Sequence, residues 1–242
     1  MGVKKYVHQL TRSLGFDFYS LKDKVDDEVM RLNWLKRMNI RTVFDIGANE
    51  GQFAAMIRNL LPAAIIYSFE PIPFCYQKLV EHFKDDNNFK AFNIGSGDKE
   101  EEIGMNVNDY SPSSSLLEIN ELHVKNFRHT AHTQKQLIKI KPLDAMMDQF
   151  TITTPLMVKI DTQGYENKVI TGGKALLAKA DVIMIELSYQ SLYKGQTLFH
   201  DIYNSLYDLG FQYHGNFEQL LSPVDGSVLQ SDGIFLKRQQ KQ

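Results

Sequence analysis

The stretch Val43-Phe44-Asp45-Ile46-Gly47-Ala48-Asn49-Glu50-Gly51-Gln52-Phe53 leaves a chain like this few folds to choose from. Thr42 to Ile46 are β-branched or aromatic around one carboxylate, the pattern of a parallel strand buried on both faces. Gly47 and Gly51 then permit a tight turn and a close backbone approach to a ligand. Apolar residues follow at Phe53, Met56, Ile57, Leu60 and Leu61, the spacing of a helix packed on a sheet. Strand, glycine turn and helix in that order predict an α/β fold with an open sheet. Ligands of such sheets sit outside the carboxyl ends of the strands, where the strand order reverses. The N–H groups at the helix start suit an anionic or carboxylate-bearing ligand.

Composition narrows the function classes. A length of 242 residues supports one α/β domain with a sizeable core. The formal net charge of −2 gives no footprint for nucleic acid. Cys75 is the only cysteine, so an internal disulfide and a cysteine-based metal site are excluded, and no metal is expected. No apolar run is long enough for a membrane span, so stable membrane insertion is not expected. Residues 1–14 are mildly basic and amphipathic but lack the apolar region of a secretory signal. A cytoplasmic protein is therefore expected, and a homo-oligomer is compatible with the sequence.

Residues 1–41 read as a helical lead-in covering one sheet edge, with Val29, Leu32, Leu35 and Met38 near one face. Residues 42–238 read as one continuous domain. Its strands fall at 64–70, 89–95, 156–161 and 181–187 besides the first, and a helix opens at the Pro71/Pro73 break. Short extra strands are expected at 102–107 and 137–141, flanking a long polar segment from Asn108 to Gln136. A segment of that length inside a compact domain reads as a lid or binding loop. Ser114 and Ser115 lie in it, and His123, His129 and His132 read as solvated. A helix to about Ala178 carries Gly172-Gly173 near its middle, at some cost in propensity. The chain closes on a hairpin, 211–221 and 226–237, joined by Ser222-Pro223-Val224-Asp225.

Four core strands end in acids: Asp45, Glu70, Asp161 and Glu186, with Asp98 after the third strand. Each alone can be a helix cap or a lysine partner. Gathered on one rim they describe a pocket, because buried acids are rare unless paired or used. Glu70 lies about 20 residues past the glycine turn, where an acid takes both hydroxyls of an adenosine ribose. A dinucleotide pyrophosphate wants G-x-G-x-x-G, whereas this chain has Asp-x-Gly-x-x-x-Gly with Asp45 inside the strand. An acid there suits an ammonium or a sulfonium, and S-adenosylmethionine combines adenosine, a sulfonium and an amino-acid tail.

Val43 to Phe53, Phe69-Glu70-Pro71, Ser114-Ser115-Leu116-Leu117 and Val158-Lys159-Ile160-Asp161-Thr162-Gln163-Gly164-Tyr165-Glu166 together resemble the FkbM family of methyltransferases. The resemblance runs from about residue 40 to residue 236. It implies a class I methyltransferase fold, a Rossmann-like three-layer sandwich. The sheet would be mostly parallel and seven-stranded, with an antiparallel terminal hairpin. It further implies S-adenosylmethionine as cofactor and O-methylation of a sugar hydroxyl in a glycan, lipopolysaccharide or natural product. Thr162-Gln163 stands where many members carry Val-Glu.

On these grounds Asp45, Gly47, Asn49, Gly51, Glu70, Asp98, Ser115 and Asp161 are the candidate cofactor contacts, with Asp98 on the adenine side. Asp161 is also the candidate base, although a turn cap or a contact to the cofactor's amino group would explain it too. Glu186 either orients the acceptor hydroxyl or pairs with Lys159. Glu166, at a helix start, is accounted for by the helix dipole. The competing readings are a nicotinamide-dependent oxidoreductase, disfavoured by the glycine pattern and the closing hairpin, and a non-catalytic binding protein on the same fold.

Overall fold

The computed structural model describes residues 31–108, 114–127 and 133–238. The helical reading of residues 1–30, together with His129 and His132, lies outside them. After a short helix α1 (Trp34–Arg37), strand β1 (Thr42–Ile46) is buried at every position. It runs through the glycine turn into α2 (Gln52–Leu60), which buries Ala54, Ile57 and Leu60. Then come β2 (Ile65–Phe69), α3 (Pro73–His82) with proline in its first turn, and β3 (Phe89–Phe92).

Beyond β3 the chain leaves the main sheet. Strand β4 (Gly95–Ser96) pairs with β6 (Thr133–Lys141), which also pairs antiparallel with β5 (Glu101–Asn108). The third strand expected at 89–95 therefore divides between two sheets. The two extra strands are longer than their sequence suggests, because the ladder from Glu101↔Ile140 to Asn108↔Thr133 extends past the apolar residues. Met105, Ile138 and Ile140 face Ile72 and Cys75 and form a small core of their own. The polar segment between β5 and β6 is not a loop throughout, since it contains α4 (Glu121–Asn126), capped by the Asn120 side chain.

Strand β7 (Leu156–Ile160) returns to the sheet centre. The helix expected to run to about 178 is split into α5 (Glu166–Gly172) and α6 (Lys174–Leu177). The break falls at Gly173, whose φ of −125° is not helical, and its neighbour Gly172 must be glycine because a Cβ there would lie 1.9 Å from the carbonyl oxygen of Gly97. Strand β8 (Val182–Ser188), α7 (Phe199–Asp208), β9 (Phe211–Leu221) and β10 (Val228–Lys237) complete the chain.

The main sheet has seven strands in the order β3-β2-β1-β7-β8-β10-β9. The pairs up to β8 are parallel, and β10 is antiparallel to both β8 and β9. Strand order reverses between β1 and β7, which puts the ends of those two strands at the switch point. Alternation along the strands builds one core on each face. Phe44, Ile46, Phe69, Val158 and Ile160 join Val169 and Ile170 on one side. Val43, Met157 and Met184 join Ile57 and Leu60 of α2 on the other. Leu32 and Leu35 belong to that second core, so this part of the lead-in covers a face of the sheet.

Candidate active site

At the end of β1 the turn is held from both sides. The N–H groups of Gly47 and Ala48 donate to the Phe69 carbonyl, each at 3.0 Å, and Gly51 donates to Ala48. Asn49, with φ +50°, donates its N–H to Glu70 Oε2 at 2.8 Å. Ile72 donates to Glu70 Oε1 at 2.9 Å. These N–H groups of the turn and of the chain after β2 are therefore used within the protein. Burial pushes the Glu70 carboxyl up to about 7, against the pull of the two N–H donors. Each carboxylate oxygen keeps a lone pair for a donor arriving from the cleft.

Gly47, with φ +81°, lies directly over the end of β7. Gly51 has a different role from the one its sequence position implied. A Cβ there would strike Leu79 and Phe83 at 2.7 and 2.9 Å, so it is a packing glycine under α3 and away from the cleft.

The cleft encloses roughly 730 Å³ of atom-free space, its open mouth included. Gly47, Asn49, Glu70 and Asp161 line it together, as their sequence positions implied. Its other end is apolar, formed by Ile72, Met105, Leu116 and Ile140. Ser96 lines that end with a buried hydroxyl that has no hydrogen-bond partner. Among the described residues, no lysine or arginine lines the cleft.

Asp98, expected on the adenine side, is turned away. Lys168 holds it at 2.6 Å and keeps its carboxyl below the usual range, and Ser96 occupies the wall instead. Ser115 sits one layer behind the wall, donating to the Gln163 carbonyl at 2.5 Å, while its neighbour Ser114 lines the cleft. His123 is buried against Tyr193 and Phe127 and not solvated, because α4 packs on the loop after β8.

Asp45 is fully buried and stands behind the cleft. Its cross-strand partner is Lys159. The Lys159 ammonium lies 3.6 Å from Asp45 and 3.2 Å from Asp161 Oδ2. Burial works against the charge on Lys159, but Asp161, Asp45 and Asp232 together keep its ammonium above the usual value. Asp232 was not singled out in the sequence. It stands opposite Glu186 in the β8–β10 ladder, and burial beside Asp161 pushes its carboxyl up to about 7. An acid within the last strand, between Ser231 and Gly233, was the available signal.

Gln163 ties the acids together. Its Nε2 donates to Asp161 Oδ1 and to Glu186 Oε2, both at 2.8 Å. Glu186 also accepts from Gln230 at 2.6 Å. Burial, reinforced by Asp161 and Glu166, pushes the Glu186 carboxyl well above the usual range, with Gln163 pulling it back. Thus Glu186 meets Gln163 and Gln230, and Lys159 pairs with Asp45 and Asp161. Glu166 is a turn clamp, accepting from the N–H groups of Thr162 and Gly164 at 2.9 and 3.1 Å. Among the described residues, no group of three His, Cys, Asp or Glu side chains is arranged to hold a metal ion.

The sheet order, the antiparallel closing hairpin and a cleft at the switch point define a class I methyltransferase fold. The sequence matches the methyltransferase FkbM domain over residues 45–213, and the chain belongs to that family of methyltransferases. It is 26% identical over 161 residues to the 2-O-methyltransferase NoeI of Sinorhizobium fredii strain NGR234, covering 64% of this chain and 66% of that protein. The match thus spans just under two thirds of that relative's length. Solved structures align at lower similarity. The precorrin-6y C5,15-methyltransferase of Geobacter metallireducens has a TM-score of 0.46 at 12% identity, covering 87% of each chain. TehB of Haemophilus influenzae has a TM-score of 0.47 at 10% identity, covering 86% of this chain and 62% of that one.

Proposed function

We propose that this protein moves a methyl group from S-adenosylmethionine to a sugar hydroxyl. The observation that carries the cofactor assignment is a cleft lined, among the described residues, by two acids, Glu70 and Asp161, and by no lysine or arginine. Lys159 stands behind Asp161, but the charged side chains that face the cleft itself are acids, which disfavour a pyrophosphate and attract a sulfonium and an ammonium. The residues suit the rest of that molecule as well. Glu70 has acceptor positions for a ribose diol, and the apolar end with the Ser96 hydroxyl suits an adenine. A bound S-adenosylmethionine supplies an electrophilic methyl carbon.

Asp161 and its neighbours do the remaining work. With that cofactor bound, Asp161 would take the proton from the acceptor hydroxyl as that oxygen is methylated. A positioned base of this kind typically contributes ~10²–10⁴-fold. Lys159 and Gln163 each occupy one Asp161 oxygen and so fix the carboxylate's direction. The name of the NoeI relative, a 2-O-methyltransferase, supports oxygen as the accepting atom. No described helix is long and apolar enough to cross a membrane, and action in the cytoplasm is part of the same proposal.

The test is transfer of an isotopically labelled methyl group from S-adenosylmethionine to extracted glycans and lipid-linked sugars, read by mass spectrometry. A methyl-sized gain on a sugar hydroxyl is the expected result. Labelling confined to nitrogen or to non-sugar material would overturn the acceptor assignment.

A further inference from the structure

We infer that Tyr193 and Gln163 form a positioning relay that joins Asp161 and Glu186 into one unit and couples that unit to the segment 114–127. The relay rests on the proposed function only for its purpose. Its geometry stands by itself.

Tyr193 is completely buried and does not line the cleft. Its hydroxyl donates to Gln163 Oε1 at 2.9 Å. Burial beside Glu186 raises the phenol above its usual value, so it stays protonated and acts as the donor. Once Oε1 is committed as acceptor, the amide has one orientation left. Nε2 must face the carboxylates, and a single NH₂ group then donates to Asp161 and Glu186 together. With the amide flipped, its oxygen would stand 2.8 Å from two carboxylate oxygens. Tyr193 thereby supports the amide orientation that the two acids require, without touching either.

Gln163 itself holds an unusual backbone. Its φ of +53° is rare for a residue with a side chain, and the fold maintains it from outside. Ser115 donates to its carbonyl. Gly164, at φ +98°, leaves room for Leu117 and Tyr193 to lie over the turn, at 3.1 and 3.3 Å from where a Cβ would stand.

Tyr193 is held in the same way. It bridges to Ile119, packs at a tilt against His123 with ring centres 5.2 Å apart, and its carbonyl accepts from Ser191. Asn120 bonds the Ser191 carbonyl, and Lys194 donates its N–H to Glu118. Ser115, Leu117, Ile119 and His123 all belong to the segment between β5 and β6, whose Ser114 and Leu116 line the cleft. Whatever seats that segment also seats the hydrogen bonds on Asp161 and Glu186.

The test compares the full chain with Tyr193→Phe and Gln163→Glu. Three readouts are taken: the Glu186 titration by carboxyl carbon-13 NMR, the melting temperature, and calorimetric S-adenosylmethionine binding. Phe at 193 keeps the packing and frees the amide to flip. Glu at 163 removes the N–H donor and adds a third carboxyl. The Glu186 midpoint is expected to rise by about half a pH unit or more in Tyr193→Phe, and further in Gln163→Glu. Glu186 titrating in both variants as in the parent would overturn the relay, even if both melt earlier, because packing alone does not set a midpoint. The titration needs neither cofactor nor acceptor. Absence of binding by the parent would count against the cofactor assignment and leave the relay to be decided by the NMR result.

Discussion

A Cβ on Gly47 would lie 1.8 Å from the main-chain carbonyl oxygen of Asp161. The ends of β1 and β7 therefore meet through bare backbone, and this contact closes the floor of the cleft. With φ at +81° as well, only glycine fits. Gly47→Ala is expected to lower stability by more than about 2 kcal/mol in chemical denaturation, and to remove cofactor binding from whatever folds. A variant with parental stability would mean that the two strand ends are not in contact.

Among the described residues, Lys159 is the cation set among Asp45, Asp161 and Asp232. Replacing it with methionine keeps most of its volume and strands the acids. Breaking a buried pair from one side costs about 3–5 kcal/mol. Lys159→Met is expected to fall in that range, and Asp45→Asn added to it should recover part of the loss. Additive losses in the double variant would contradict the pairing.

The pH dependence follows from acids whose folded values are raised. Glu70 and Asp232 both move up to about 7, from ordinary values of 4.5 and 3.8. The folded protein then holds protons that the unfolded chain has released. Their contribution to stability is full below about pH 4 and is lost as pH rises through about 7. Melting temperature should therefore fall between about pH 4 and pH 7, with a shallower slope in Glu70→Gln/Asp232→Asn. A cationic ligand that donates hydroxyls to Glu70 favours the ionised acid, so cofactor binding near pH 7 should release protons. Calorimetry in buffers of different ionisation enthalpy reads the sign, and proton uptake would contradict it.

Asp161→Asn keeps the shape and removes the base. Turnover is expected to fall by ~10²–10⁴-fold, while Asp98→Ala, which disturbs only the Lys168 pair, changes cofactor affinity by less than about threefold. Retained turnover in Asp161→Asn would end its assignment as base.

What could be read from the sequence was what neighbouring residues determine. Thr42–Ile46 and Gln52–Leu60 appear where their apolar spacing puts them, and the strand ends at Glu70 and Asp161 do meet in one cleft. What could not be read depends on distant partners. Gly95 and Gly97 turn out of the main sheet because Ile140, more than forty residues on, packs against both. Asp98 looked like a cleft residue until Lys168 took it. Asp232 gains its place only through the ladder that sets it opposite Glu186, and the position of Gln163 depends on a left-handed turn that its residue type does not announce. His123 looked polar and exposed, but α4 folds it against Tyr193.

Isothermal titration of the full chain with S-adenosylmethionine, run beside Glu70→Ala, reaches the central claim most directly. One molecule should bind per chain, and the loss of the Glu70 carboxylate should weaken binding by about tenfold or more, as expected for hydrogen bonds to a charged acceptor. No binding heat in the parent, or equal affinity in Glu70→Ala, would contradict the placement of the cofactor in this cleft.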